Sequence, residues 1–240
     1  MNSTKKTARV AGLLYVLASI PGVFCLLYIP SRFIVAGDAA ATADKILSSE
    51  FVFRIGIVSE LIGFTGFIFV VRALYRLFQG VNKAHASLMV TLMLVSIPVS
   101  LVNVLNEIAA LTLIRSADFL SVFDKPQRDA LAMLFLNLHF QGIMVAQVFW
   151  GLWLIPFGVL VFKSGFLPRI LGVLLIIACF GYLANSFDEF GVLPHAVSRV
   201  LGQLTICELP IILWLLIIGA KDQPLGDPAV PTPSGGAVER

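Results

Sequence analysis

Six stretches of this chain are each apolar over a length that crosses a lipid bilayer, and that limits the fold before any motif is considered. They run about 8–29, 54–78, 86–114, 131–162, 166–187 and 196–219. A hydrocarbon core of about 30 Å is spanned by roughly 20 apolar residues in helix, which satisfies every backbone polar group within the segment. Charged residues make up 13% of the 240, about half the roughly 25% usual in soluble domains. So much apolar surface cannot all be hidden from water inside one soluble core, so part of it faces lipid. The pattern predicts an all-α, polytopic transmembrane bundle of six helices over residues 1–220, with short helical outer loops. The third and fourth stretches exceed the bilayer thickness and are expected to tilt or project. Lys5, Lys6 and Arg9 precede the first stretch as in a signal peptide. Its apolar run continues to Tyr28 without an A-x-A cleavage site, so it reads as a retained helix.

Loop charges set the expected orientation. Ten basic residues fall on the side of the N-terminus (Lys5, Lys6, Arg9, Arg72, Arg76, Lys83, Lys163, Arg169, Lys221, Arg240) and seven on the other. The bias places both termini in the cytoplasm of a cell whose cytoplasmic membrane holds the bundle. Asp38 is placed to cap a short outer helix over Ala39–Leu47. Ser49 is placed to cap the second span, and Asp124 with Pro126 to start the fourth. Residues 221–240 hold four prolines and three glycines with little to bury and read as a disordered tail. The expected partners are the lipid bilayer and a small-molecule ligand. Nucleic acid is excluded, because a net charge of +3 without a basic, aromatic-interleaved run gives no electrostatic footprint.

Within the spans, polar residues fall on helix faces. Ser96, Ser100, Asn103 and Glu107 step by four, three and four along the third span, with Asn106 beside them. Gly56, Ser59, Glu60 and Gly63 share a face of the second. Gly181, Asn185 and Asp188 mark the fifth, and Ser198, Gly202, Thr205 and Glu208 the sixth. Such faces point into the bundle, since lipid would leave their polar groups unpaired. Counting inward at about 1.5 Å per residue, Glu60 and Glu107 lie roughly 10 Å below the outer end and Glu208 near the midplane. His139 enters from the same side, while Asn185 and Asp188 close the outer end of the fifth span. Pro210 is expected to kink the sixth span beside Glu208, and Pro98 the third.

Ionised side chains in hydrocarbon are costly and mark functional sites. Glu60, Asn103, Glu107, His139, Asn185, Asp188 and Glu208 are therefore the candidate ligand-binding residues. No catalytic residue, metal or cofactor is assigned. The chain has no HExxH, H-x-x-x-H, G-x-S-x-G or G-x-x-x-x-G-K-[ST] motif. Cys25, Cys179 and Cys207 are odd in number and show no C-x-x-C spacing; they read as small buried hydrophobes. Trp150, Trp153 and Trp214 read as lipid contacts and interface anchors.

Three elements carry a family resemblance: LHFQG at Leu138–Gly142, the FWGLWLIPFG run that follows, and SGFLPRILGVLL from Ser164. With ARVAGLLYVLASIPG near the N-terminus, the chain over about 8–220 resembles the DUF4386 family of bacterial integral membrane proteins. The resemblance implies a multi-span membrane protein and no particular activity; Asn137 stands where it implies Glu. Three readings of the polar faces follow. They are interhelical packing contacts, an acidic outward-facing cavity that binds or moves a small amphipathic or cationic ligand, or an intramembrane metal-dependent enzyme using His139. The cavity is the reading carried forward.

Overall fold

A computed structural model describes residues 4–221. Every regular element among them is helical, and six helical units are long and apolar enough to cross a membrane. The first is α1 (Thr4–Val23), a π-helical turn (Phe24–Tyr28) and α2 (Ile29–Phe33) in line. A short outer helix α3 (Ala39–Ser48) follows, then α4 (Glu50–Phe78) and α5 (Lys83–Ile114). The fourth unit is α6 (Lys125–Leu152) with α7 (Leu154–Lys163), and the fifth is α8 (Arg169–Glu189). The last unit is α9 (His195–Gly202), a 3-10 segment (Gln203–Glu208) and α10 (Leu209–Ile217). The chain is thus a multi-pass membrane protein, an all-α bundle of six spans.

Local chemistry explains the boundaries. The Asp38 carboxylate accepts the Ala41 N–H at 2.8 Å to start α3. Asp124 and Gln127 form a reciprocal capping box that starts α6, with Pro126 in its first turn. Asn82 accepts from His85 N–H at 3.0 Å and starts α5. Ser49 corrects the expectation made for it: its side chain caps nothing, and only its carbonyl receives Val52 and Phe53. Pro98 leaves α5 unbroken, whereas the region of Pro210 is more than a kink. Proline has no N–H to continue an α-helix, and it falls in the first turn of α10, directly after the tighter 3-10 turns. The expected tail over 221–240 lies outside the described residues save Lys221, whose N–H reaches the Phe166 carbonyl at 3.1 Å.

The spans close a ring in chain order. α1 packs on α4, α4 on α5, α5 on α6 and α7, α8 on α6 and α7, the 3-10 segment on α8, and α10 back on α1. Glycine permits the tightest approaches: a methyl at Gly181 would lie 2.6 Å from the Thr205 backbone nitrogen. Arg9 donates to the Ile217 carbonyl at 2.8 Å where the ring closes.

Two apolar cores fill the ring. One unites Tyr15, Val70, Leu74, Met89, Trp153, Phe157, Leu175 and Leu215; the other, under α3, holds Phe33, Ile46, Phe53, Val104, Leu111 and Leu136. Trp153 corrects the lipid-anchor reading, because it is only 1% exposed and its ring meets Tyr15 and Phe157. Outward, residues such as Leu17, Leu27, Ile62, Phe69, Val102 and Phe180 form the apolar surface that lipid covers.

Close helix contact predicts a graded pair of variants. A Cβ on Gly172 would stand 2.5 Å from the Gly158 carbonyl oxygen, whereas one on Gly22 meets nothing within 4 Å. Gly172→Ala should cost about 1–3 kcal/mol through overpacking. Gly22→Ala should be neutral or stabilising by up to about 1 kcal/mol. Thermal unfolding in detergent checks this, and equal effects of the two would contradict the packing described.

Candidate functional site

Between the two apolar cores the ring is polar. α4 contributes Glu60, α5 contributes Ser100, Asn103 and Glu107, and α6 contributes His139. The four-, three- and four-residue steps of the α5 face do turn inward, for Ser96, Ser100, Asn103 and Glu107 are all buried. His139 Nε2 lies 3.3 Å from Glu60 Oε1 and 3.9 Å from Glu107 Oε1. One ligand atom from each of the three falls within 4.8 Å of the others.

A second layer fixes the imidazole. Asn103 Nδ2–H donates to the His139 carbonyl at 2.8 Å, and Asn106 Nδ2–H donates to Asn103 Oδ1 at 3.0 Å. His139 Nδ1 stands 3.3 Å from the Asn103 backbone carbonyl. The Asn103 Nδ2 also stands 3.3 Å from His139 Nδ1, so the tautomer sets whether Nδ1 donates to the carbonyl or accepts from the amide. Gly142, one turn after His139, leaves room for the Asn103 amide, which a Cβ there would overlap. On the facing helix, Cys25 in the π-turn donates its S–H to the Gly56 carbonyl at 3.1 Å, one turn before Glu60.

The second oxygens of both acids matter most. Among the described residues, Glu60 Oε2, Glu107 Oε2 and the Ser100 hydroxyl are buried without a hydrogen-bond partner. Glu60 is 3% exposed and Glu107 6%, so bulk water does not supply one. Asn103 is buried with them, and the His139 side chain is 14% exposed. A cleft of about 540 Å³ lies at the basic end, lined by Lys6, Arg72 and Arg76 with Val10, Leu14 and Phe69.

The remaining candidates lie elsewhere. Glu208 accepts from the Tyr182 hydroxyl at 2.6 Å through Oε2 and from the Tyr15 hydroxyl through Oε1. Its partners thus come from α1 and α8, and it sits where the last span breaks. Asn185 rests its Oδ1 against Gly202. Asp188 meets exposed His195 at 2.6 Å on the rim of the bundle. The structure therefore gathers Glu60, Asn103, Glu107 and His139, and leaves Asn185, Asp188 and Glu208 outside that cluster. Sequence reasoning missed Tyr15 and Tyr182. The available signal was that a tyrosine inside an apolar span brings a hydroxyl that needs a partner.

Comparison with known proteins agrees with the architecture. The model of a family described as a domain of unknown function, DUF4386, matches residues 10–219. An uncharacterized protein of Archaeoglobus fulgidus is 33% identical over 87 residues, a match covering 36% of this chain and 51% of that protein. The chain thus spans about half the length of that relative. No solved structure matches.

Glu208 generates a stability prediction. Glu208→Ala would strand two buried tyrosine hydroxyls, each costing about 1–3 kcal/mol. Glu208→Gln keeps a polar group in reach of both and should cost clearly less. If thermal unfolding shows the two variants equally destabilised, hydrogen bonding is not what Glu208 supplies.

Proposed function

The chain belongs to the DUF4386 family of unknown function, and from its buried polar cluster we propose that it binds a small cation between α4, α5 and α6. The observation that carries this reading is the pair of orphaned Oε2 atoms on Glu60 and Glu107, whose Oε1 atoms face one imidazole. Two unit negative charges about 4 Å apart repel by roughly 4 kcal/mol at an effective dielectric of 20. Burial adds a desolvation penalty of several kcal/mol per ion. A bound cation removes both costs at once and gives the orphaned oxygens a partner.

Size narrows the ligand. Carboxylates only 3% and 6% exposed, set between two apolar cores, suit an ion-sized guest better than an amphipathic molecule. Packing is the reading favoured for Glu208, whose two oxygens both receive tyrosine hydroxyls. The basic residues around the N-terminus support an orientation with both termini in the cytoplasm, in the cell membrane. In that orientation the cluster lies in the outer half of the bilayer.

Two experiments test this proposal. In detergent-purified protein, a panel of alkali, alkaline-earth, transition-metal and small ammonium cations should include one that raises the unfolding midpoint by several degrees. Saturation near 100 times Kd stabilises by about 2.7 kcal/mol. Glu60→Gln with Glu107→Gln should abolish that shift; a shift of the same size in the double variant, or none in the native protein, refutes the cation site. Topology is read with an impermeant thiol reagent on whole cells. A cysteine at exposed Ser121, in the loop between α5 and α6, should react. One at exposed Gly80, between α4 and α5, should react only after permeabilisation, and the reverse pattern inverts the orientation.

A further inference from the structure

The geometry points to a more specific occupant: we propose that Glu60, Glu107 and His139 form an intramembrane site for one divalent transition-metal ion, with three protein ligands and an open coordination position. This rests on the cation reading above and goes beyond it in naming the class of ion.

Distances come first. Metal–nitrogen and metal–carboxylate bonds of about 2.0–2.2 Å put neighbouring ligand atoms about 3.4 Å apart around a tetrahedral ion. His139 Nε2 is 3.3 Å from Glu60 Oε1 and 3.9 Å from Glu107 Oε1. The three ligand atoms already lie within 4.8 Å of one another. Enclosing an ion asks side-chain shifts of roughly an ångström to close the remaining gaps.

Donor chemistry selects the class. Imidazole suits zinc, iron, cobalt and nickel, whereas magnesium prefers oxygen and retained water, and calcium takes six to eight oxygens. His139 is oriented as a ligand: Nδ1 faces the Asn103 backbone carbonyl at 3.3 Å, which leaves Nε2 directed at both acids. Metal-bound histidines commonly give their second N–H to a carbonyl or carboxylate, which fixes tautomer and ring plane. Here the Asn103 backbone carbonyl stands in that place, while the Asn103 amide, held by Asn106, ties down the His139 backbone carbonyl, with Gly142 making room for it.

Two independent observations separate this cluster from an ordinary acidic group. Both acids are more than nine-tenths buried, and each keeps an oxygen with no partner. Those oxygens can accept hydrogen bonds from a water bound at the open position. Three protein groups leave a coordination position for water or an exchanging ligand, as in sites that do chemistry or pass an ion on rather than sites that only staple a fold.

The test uses Co²⁺ as a spectroscopic probe on the full chain, purified in detergent through a tag without histidine and stripped with chelator. Native protein should bind one equivalent by elemental analysis and show visible absorption bands of a low-coordinate Co²⁺ site. His139→Ala and Glu107→Gln should each lose that site, with Co²⁺ affinity down at least tenfold. Asn103→Ala removes the amide bonded to the His139 carbonyl and keeps the backbone carbonyl that faces Nδ1, so it should weaken binding by no more than about tenfold. Glu208→Gln should bind as the native protein does. Circular dichroism and size-exclusion profiles matching the native protein show that the variants remain folded. Co²⁺ binding that persists in His139→Ala and Glu107→Gln places the metal elsewhere and overturns the proposal. No Co²⁺ binding, with a sodium or ammonium shift that depends on Glu60 and Glu107, overturns the metal assignment and spares the cation site. No response to any cation overturns both.

Discussion

An ionised carboxylate accepts hydrogen bonds and donates none, so inside a bilayer its stability depends on what faces it. The arrangement of this bundle can be read from that requirement. Glu60 comes from α4 and Glu107 from α5, adjacent members of the ring, and His139 reaches them from α6. The small residues on these faces let the helices approach: Gly56 beside Ile29, Gly63 beside Ala18 and Pro21, Gly142 beside Asn103.

The same chain solves the same problem in a second way. Glu208 lies at the junction of the 3-10 segment and α10, where both its oxygens receive tyrosine hydroxyls. Those bonds tie α1 and α8 to the last span and close the ring from inside. Glu208 is therefore complete without a guest. Glu60 and Glu107 are not, since each has an oxygen unpartnered and the imidazole can serve each of them through only one ring nitrogen. Natural proteins accept lost stability where function needs an incomplete site. The contrast between satisfied and unsatisfied carboxylates, more than their presence in a span, favours packing for the one and supports the proposed site at the other pair.

Much of this architecture was legible in the sequence because bilayer thickness fixes helix length. The capping roles of Asp38 and Asp124 could be read from local chemistry alone, and the inward face of Ser96, Ser100, Asn103 and Glu107 followed from helical period. Partner choice across helices was not legible. Glu208, counted near the midplane, was grouped with Glu60 and Glu107 as a candidate, but depth says nothing about azimuth around a ring, and the ring gives Glu208 to Tyr15 and Tyr182. Trp153 shows the same limit from the apolar side: an interface residue by type, it is buried because its helix face meets α1. The break before Pro210 exceeded the expected kink because the 3-10 turns preceding it pack closely on Gly181.

The central claim is that Glu60 and Glu107 are mutually unfavourable until a cation lies between them. A double-mutant cycle with Glu60→Gln and Glu107→Gln, measured by unfolding in chelator and again with saturating cation, reads that coupling directly. A cation site here requires an unfavourable coupling of about 0.5–3 kcal/mol without the cation, and a reversal to favourable coupling when it is bound. A favourable coupling in chelator, or the same coupling in both conditions, would contradict it and make the pair an ordinary packing contact.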